Sequence, residues 1–194
     1  MARRLATIGP VEPEQDQETL TYRQVAVALL ENALAEAWAG HCTAIAAEIW
    51  DDAVRVSDNG RGLPLHPHPR SGRPLLEVIL TGPRRGPKNT LARVNHGSAW
   101  VEVEVGKDGE LWSQRYELAL PATPLQRRGA ATRRGTTISC APVLGAPPRF
   151  EELRQEVRRL VAGRAPGAEP KPPQQQLKLR LIDRREAREE TIVV

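Results

Sequence analysis

The chain has 194 residues, enough for one well-cored domain, and its 28 lysines and arginines exceed its 24 acids to leave a net charge of +4. Aromatic residues make up only 4%. With so mild a charge, this argues against a single-strand nucleic-acid surface built on base stacking, and direct DNA binding is expected to be weak or absent. No apolar run reaches membrane-spanning length and no signal peptide is visible, so a cytoplasmic protein without membrane contact is expected, with Cys42 and Cys140 as reduced, buried thiols.

In chain order, residues 1–19 are polar and carry Pro10, Pro13 and several acids, which predicts a partly ordered arm. Thr21-Tyr22-Arg23-Gln24 reads as a capping box, and a helix follows to Gly40, a natural residue just past a helix end. Val25, Ala28, Leu29, Asn32 and Ala33 share one face at helical spacing, with Asn32 the odd member. Residues 43–50 alternate, Asp51-Asp52 turns the chain, and residues 53–58 return as the second strand of a hairpin. That strand delivers Asp58 to the end of an apolar face. Asn59-Gly60 and Gly62 then force a turn and let backbone approach a ligand. A carboxylate at the mouth of an apolar cleft can accept a hydrogen bond from an exocyclic amino group such as adenine carries. The plain alternative is a strand ending in an Asx turn.

A loop over 64–73 holds His66 and His68, but no CxxC or regular ligand pair supports a metal centre. Residues 74–81 predict a second helix and 90–96 a third. Lys107-Asp108-Gly109 is a hairpin turn between strands 101–105 and 110–118. Residues 121–134 read as a basic connection and 136–142 as another strand. Residues 151–163 show amphipathic helical spacing, 164–176 a Pro- and Gln-rich loop, and Leu177, Leu179 and Leu181 alternate into Asp183. The arginine pairs Arg84-Arg85, Arg127-Arg128 and Arg133-Arg134 are open to two readings, a phosphate-binding surface or ordinary solvated charge.

The run Asp58-Asn59-Gly60-Arg61-Gly62-Leu63-Pro64 resembles the nucleotide-binding motif of the GHKL ATPases. Around it, residues 30–42, His68-Pro69-Arg70-Ser71-Gly72, residues 76–81 and Gly135-Thr136-Thr137 resemble, in order, the ATPase domain of gyrase B and its topoisomerase IV counterpart. The resemblance implies an α/β fold of Bergerat type, a two-layer sandwich with a mixed, mainly antiparallel sheet and helices on one face. It implies a domain over 20–185, a tail over 186–194, and no counterpart of the transducer or toprim domains. It implies ATP or another adenine nucleotide with magnesium as cofactor. Asp58, Gly60, Gly62, Leu63, Pro64, Ile79 and Thr136 would line the adenine, with Leu63 and Ile79 as apolar contacts and Thr136 sharing a water with Asp58. Asn32 would hold the magnesium, and Glu36 would pair with Arg61. A gyrase-like partner subunit or a second copy would be the partner.

Two departures qualify the activity. The family's catalytic glutamate lies one turn before the asparagine, where this chain has Ala28, and a methyl group accepts no proton. Glu31 stands about 100° round the helix from Asn32. The family's glycine-rich lid is shortened to the stretch from Gly82 to Lys88, where Arg84, Arg85 and Lys88 would meet phosphate as point charges or cap the loop. Three readings follow. One is a pseudo-ATPase acting as a regulatory or partner-binding module. The second is an ATP-hydrolysing topoisomerase component. The third is a small-molecule enzyme or binder that reuses the adenine pocket.

Overall fold

The computed structural model describes residues 19–83, 89–163 and 176–194. The predicted arm over 1–18, the cations Arg84, Arg85 and Lys88, and the loop 164–175 lie outside the described residues. Four helices, α1 (Tyr22–Trp38), α2 (Leu75–Thr81), α3 (Thr90–His96) and α4 (Phe150–Ala162), pack against one mixed sheet. Its strands are β1 (Ala44–Ile49), β2 (Val54–Asp58), β3 (Ser98–Lys107), β4 (Glu110–Glu117), β5 (Leu120–Pro121), β6 (Gln126–Ala130), β7 (Gly135–Pro142), β8 (Lys178–Asp183) and β9 (Arg188–Val193). Their order is β5-β4-β3-β7-β2-β1-β8-β9, with β6 also on β4. β1 and β8 are parallel, and the remaining pairs are antiparallel. The expected Bergerat-type sandwich is the observed architecture.

Register explains which face is buried. Val103, Ile138, Val56, Ala47 and Leu181 form one row across five strands, and Val101, Cys140, Val54 and Ile49 form another. All are buried, and the period-2 alternation puts their strand neighbours on the other face. The helices cover the apolar side: α1 lies on β1, β2 and β7, α3 on β3, and α4 and α2 pack on α1 and α3. Cys42 and Cys140 are free and buried within this core.

The capping box at Thr21 is formed in both directions, with Gln24 N–H donating to Thr21 Oγ1 and Thr21 N–H to Gln24 Oε1. The buried Tyr22 hydroxyl donates to the carbonyls of Trp50 and Ala53, which fixes the start of α1 to the β1–β2 hairpin. Gly40 adopts φ +78° just past the C-cap, as its position predicted.

Two expectations are corrected. The basic connection over 121–134 contains β6, and the tail over 186–194 contains β9. Both are edge strands with mostly exposed residues, so neither shows the apolar alternation that marks a half-buried strand. β9 continues the sheet from β8 after a turn whose anchor is Asp183, fully buried and bound through both carboxylate oxygens to Arg185, while Arg185 Nη2 also donates to the Pro148 carbonyl. The guanidinium beside Asp183 holds its carboxyl below the usual carboxylate range. A depressed carboxyl contributes stability above its unfolded pKa, and that stability is lost as pH falls through the folded value. Removing one partner of a buried pair costs about 3–5 kcal/mol. Chemical denaturation of Arg185→Ala at neutral pH should show a loss of that size, narrowing as the solution is acidified through the Asp183 pKa.

Candidate functional site

Asp58 closes β2 opposite Ile45 of β1 and is only 6% exposed. Its Oδ1 accepts from Gly60 N–H at 2.8 Å and from Thr136 N–H at 3.4 Å. No donor among the described residues reaches Oδ2, and that oxygen is not sealed from solvent. Burial pushes the Asp58 pKa up, the two backbone donors and Arg133 pull it down, and Glu36 adds to the rise. The result is a desolvated carboxylate with one oxygen fixed and the other open as an acceptor.

The turn that holds it depends on glycine. A Cβ on Gly60 would stand 2.8 Å from Asp58 Oδ1 and 3.0 Å from Glu36 Oε2. Gly62 has φ +76°, and a Cβ there would stand 2.8 Å from Val105 Cγ1. The residue that fixes the strand end most tightly is Gly135, where β7 begins. Its φ is +111°, and a Cβ there would lie 2.0 Å from the Asp58 carbonyl oxygen. Asn59, in sequence only a turn former, also ties the turn to β1 through its side chain. Its Oδ1 accepts from Thr43 N–H at 2.8 Å and Ala44 N–H at 2.9 Å, and its Nδ2 donates to Thr43 Oγ1. The Asn-Gly pair signals the turn, but nothing local in sequence points to Thr43.

The other expected residues fall as follows. Glu36 meets Arg61 in a fork, with Arg61 Nη2 on Oε1 at 2.8 Å, and Nε and the backbone N–H of Arg61 both on Oε2. This pairing holds the Glu36 carboxyl below its ordinary range. Thr136 is buried, and its Oγ1 accepts from Leu63 N–H at 3.2 Å, while its own N–H meets Asp58 directly. Leu63, Leu65 and Ile79 are half-buried against the core, and Pro64 is half-buried beside them. Asn32 stands one turn before Glu36 on α1, half-buried, with no hydrogen bond among the described residues. Its amide oxygen is the kind of ligand magnesium takes, and one such ligand beside nucleotide phosphates is a workable set.

Ala28 is buried at the floor of a cleft of about 320 Å³ between α1, α3 and α4, whose walls include the exposed Glu31 and Arg159 and the half-buried Arg93. Within it Glu156 is held by Arg23 and Arg159. α2 ends at Thr81 and α3 begins at Thr90, so eight residues, 82–89, join them.

No family model matches the sequence. Individual relatives do. The chain is 36% identical over 129 residues to the DNA gyrase B protein of Thermotoga maritima, covering 59% of this chain and 20% of that protein. It is 34% identical over 165 residues to the DNA gyrase B protein of Myxococcus xanthus, covering 74% of this chain and 20% of that protein. The chain thus spans about a fifth of the length of the curated relatives it matches. Among solved structures it is similar to the 43K ATPase domain of Thermus thermophilus gyrase B in complex with an aminocoumarin. The TM-score is 0.74 at 29% identity, over 88% of this chain and 45% of that one. By sequence and by architecture, then, the chain is gyrase B-like and carries the fold of the gyrase B ATPase domain.

Proposed function

We propose that this domain binds an adenine nucleotide through Asp58 and works as a nucleotide-responsive module that engages a partner, without efficient ATP hydrolysis of its own. The observation that carries the reading is the carboxylate of Asp58. Protein donors among the described residues satisfy Oδ1 and leave Oδ2 as an acceptor on a largely buried side chain, and the half-buried Leu63 and Ile79 would supply the apolar contacts to the ring. An adenine amino group supplies the missing donor. Asn32 and a magnesium ion would sit at the phosphate side, the metal neutralising phosphate charge. The Glu36–Arg61 fork would keep the glycine turn in place beneath the ligand. A gyrase-like subunit or a second copy of this chain is the partner the similarity to gyrase B favours.

Hydrolysis is where the site departs from an ATPase. A positioned base contributes about 10²–10⁴-fold to such a reaction. Ala28 cannot serve, and the short 82–89 connection leaves fewer backbone donors to gather around a γ-phosphate. The isolated chain should show no significant phosphate release from ATP in a coupled assay. Turnover at a rate normal for gyrase-type ATPases that is lost in Glu31→Gln would identify a recruited base, and its loss in Asn32→Ala would place the turnover at this site; either would restore the ATPase reading.

Binding is tested separately from turnover. Replacing a buried acceptor that a ligand donor needs costs about 1–3 kcal/mol, roughly ten- to a hundredfold in affinity. In calorimetry, ATP, ADP and adenosine should bind with similar, weak affinity, and Asp58→Asn should weaken all three about equally. A strong preference for the triphosphate would mean that phosphate contacts dominate. No binding by any of the three, with Asp58→Asn changing only stability, would mean that the motif serves here as scaffold.

A further inference from the structure

The arginine pair Arg133-Arg134 forms no ion pair among the described residues, and the Asp58 site uses it only through the charge Arg133 adds near the carboxylate. It lines a cavity of about 730 Å³ at one end of the sheet, between the β3–β4 turn at Lys107–Gly109 and the connection from β6 to β7. Arg61, Lys107, Arg133 and Arg134 contribute four cations, and Asp108 is the one carboxylate in the lining. The cavity lies within the usual size range of small-molecule pockets, ~300–1,000 Å³.

The charge in it is not answered from within the protein. Many arginines elsewhere are met by glutamate, as Arg23 by Glu156, Arg73 by Glu77, Arg127 by Glu110, Arg180 by Glu189 and Arg184 by Glu48, though Arg70, Arg93 and Arg128 also form no ion pair among the described residues. Here only Arg61 has such a partner, Glu36. Lys107, Arg133 and Arg134 form no ion pair among the described residues, and Arg133 is held instead by the Thr137 hydroxyl. Cations gathered in a concave wall repel one another and focus a positive potential that a bound anion would relieve.

The backbone keeps the cavity in shape. Gly106 of β3 passes so close to the 133–134 backbone that a Cβ would lie 1.9 Å from the Arg133 carbonyl oxygen, and Ala131 N–H donates to the Gly109 carbonyl at 2.9 Å. These two contacts fix the Lys107 side of the cavity against the Arg133-Arg134 side. Guanidinium forks match phosphate oxygens two at a time, and a lysine adds a point charge beside them.

We propose that this cavity binds a small phosphate-bearing anion, of the size and charge of a diphosphate group, as a site separate from the adenine acceptor at Asp58. Calorimetry with inorganic pyrophosphate at low salt tests it. The wild-type chain should bind saturably at one to one. The double variant Lys107→Gln/Arg134→Gln, shown by thermal melting to remain folded, should bind at least tenfold more weakly. Lys178→Gln, which removes an exposed charge on β8 that has no ion pair among the described residues, should bind like wild type. Absence of saturable binding, or equal binding by the double variant, would overturn the proposal. A short DNA duplex that binds where pyrophosphate does not, with binding lost in the same double variant, would overturn it in favour of a nucleic-acid backbone.

Discussion

The contact on which the site depends is the approach of Gly135 to the Asp58 carbonyl, closer than any side chain would permit. It brings the start of β7 against the end of β2, sets Thr136 N–H on the Asp58 carboxylate, and places Thr136 Oγ1 under Leu63 N–H. From the other side the Asn59 amide secures the same turn to Thr43 and Ala44 at the head of β1. Three neighbouring strands therefore converge on one carboxylate. Burial makes that charge costly, and the raised pKa is the expression of that cost. A fold that needed only a turn here would do better with a neutral residue, and this favours reading Asp58 as a binding group.

Much of this is legible in the residues. The capping box, the alternation in β1, β2, β3 and β8, the Lys107-Asp108-Gly109 turn and the helix at 150–162 each carry a local pattern that the packing obeys. The Glu36–Arg61 pairing follows from family resemblance and stands as expected. What escapes has no local signature. β6 and β9 are edge strands whose side chains are mostly in water, so backbone pairing alone defines them. The Asn59–Thr43 contact and the demand for glycine at 135 arise between segments far apart in sequence. The role of the Arg133-Arg134 pair depends on a hairpin more than twenty residues upstream folding back beside it.

The site divides into two halves with different fates. On the proposed adenine side the carboxylate and the glycine turn that holds it are in place. On the proposed phosphate side Ala28 offers no proton acceptor, and eight residues join α2 to α3. Similarity to gyrase B bears on the first half more than the second, because fold and turn geometry can persist where catalysis does not. On the proposed reading, recognition of adenine without efficient hydrolysis leaves binding itself as the event available for signalling to a partner.

The proposed base recognition rests on the open Oδ2 of Asp58 taking a hydrogen bond from an exocyclic amino group. The most direct measurement is a paired titration of adenosine and inosine, which differ at that group, the amino donor of one being a carbonyl in the other. Adenosine should bind at least tenfold more tightly, because the inosine oxygen would face a carboxylate with no hydrogen to share. Equal affinity for the two nucleosides would contradict the assignment of Asp58 as the base-reading acceptor.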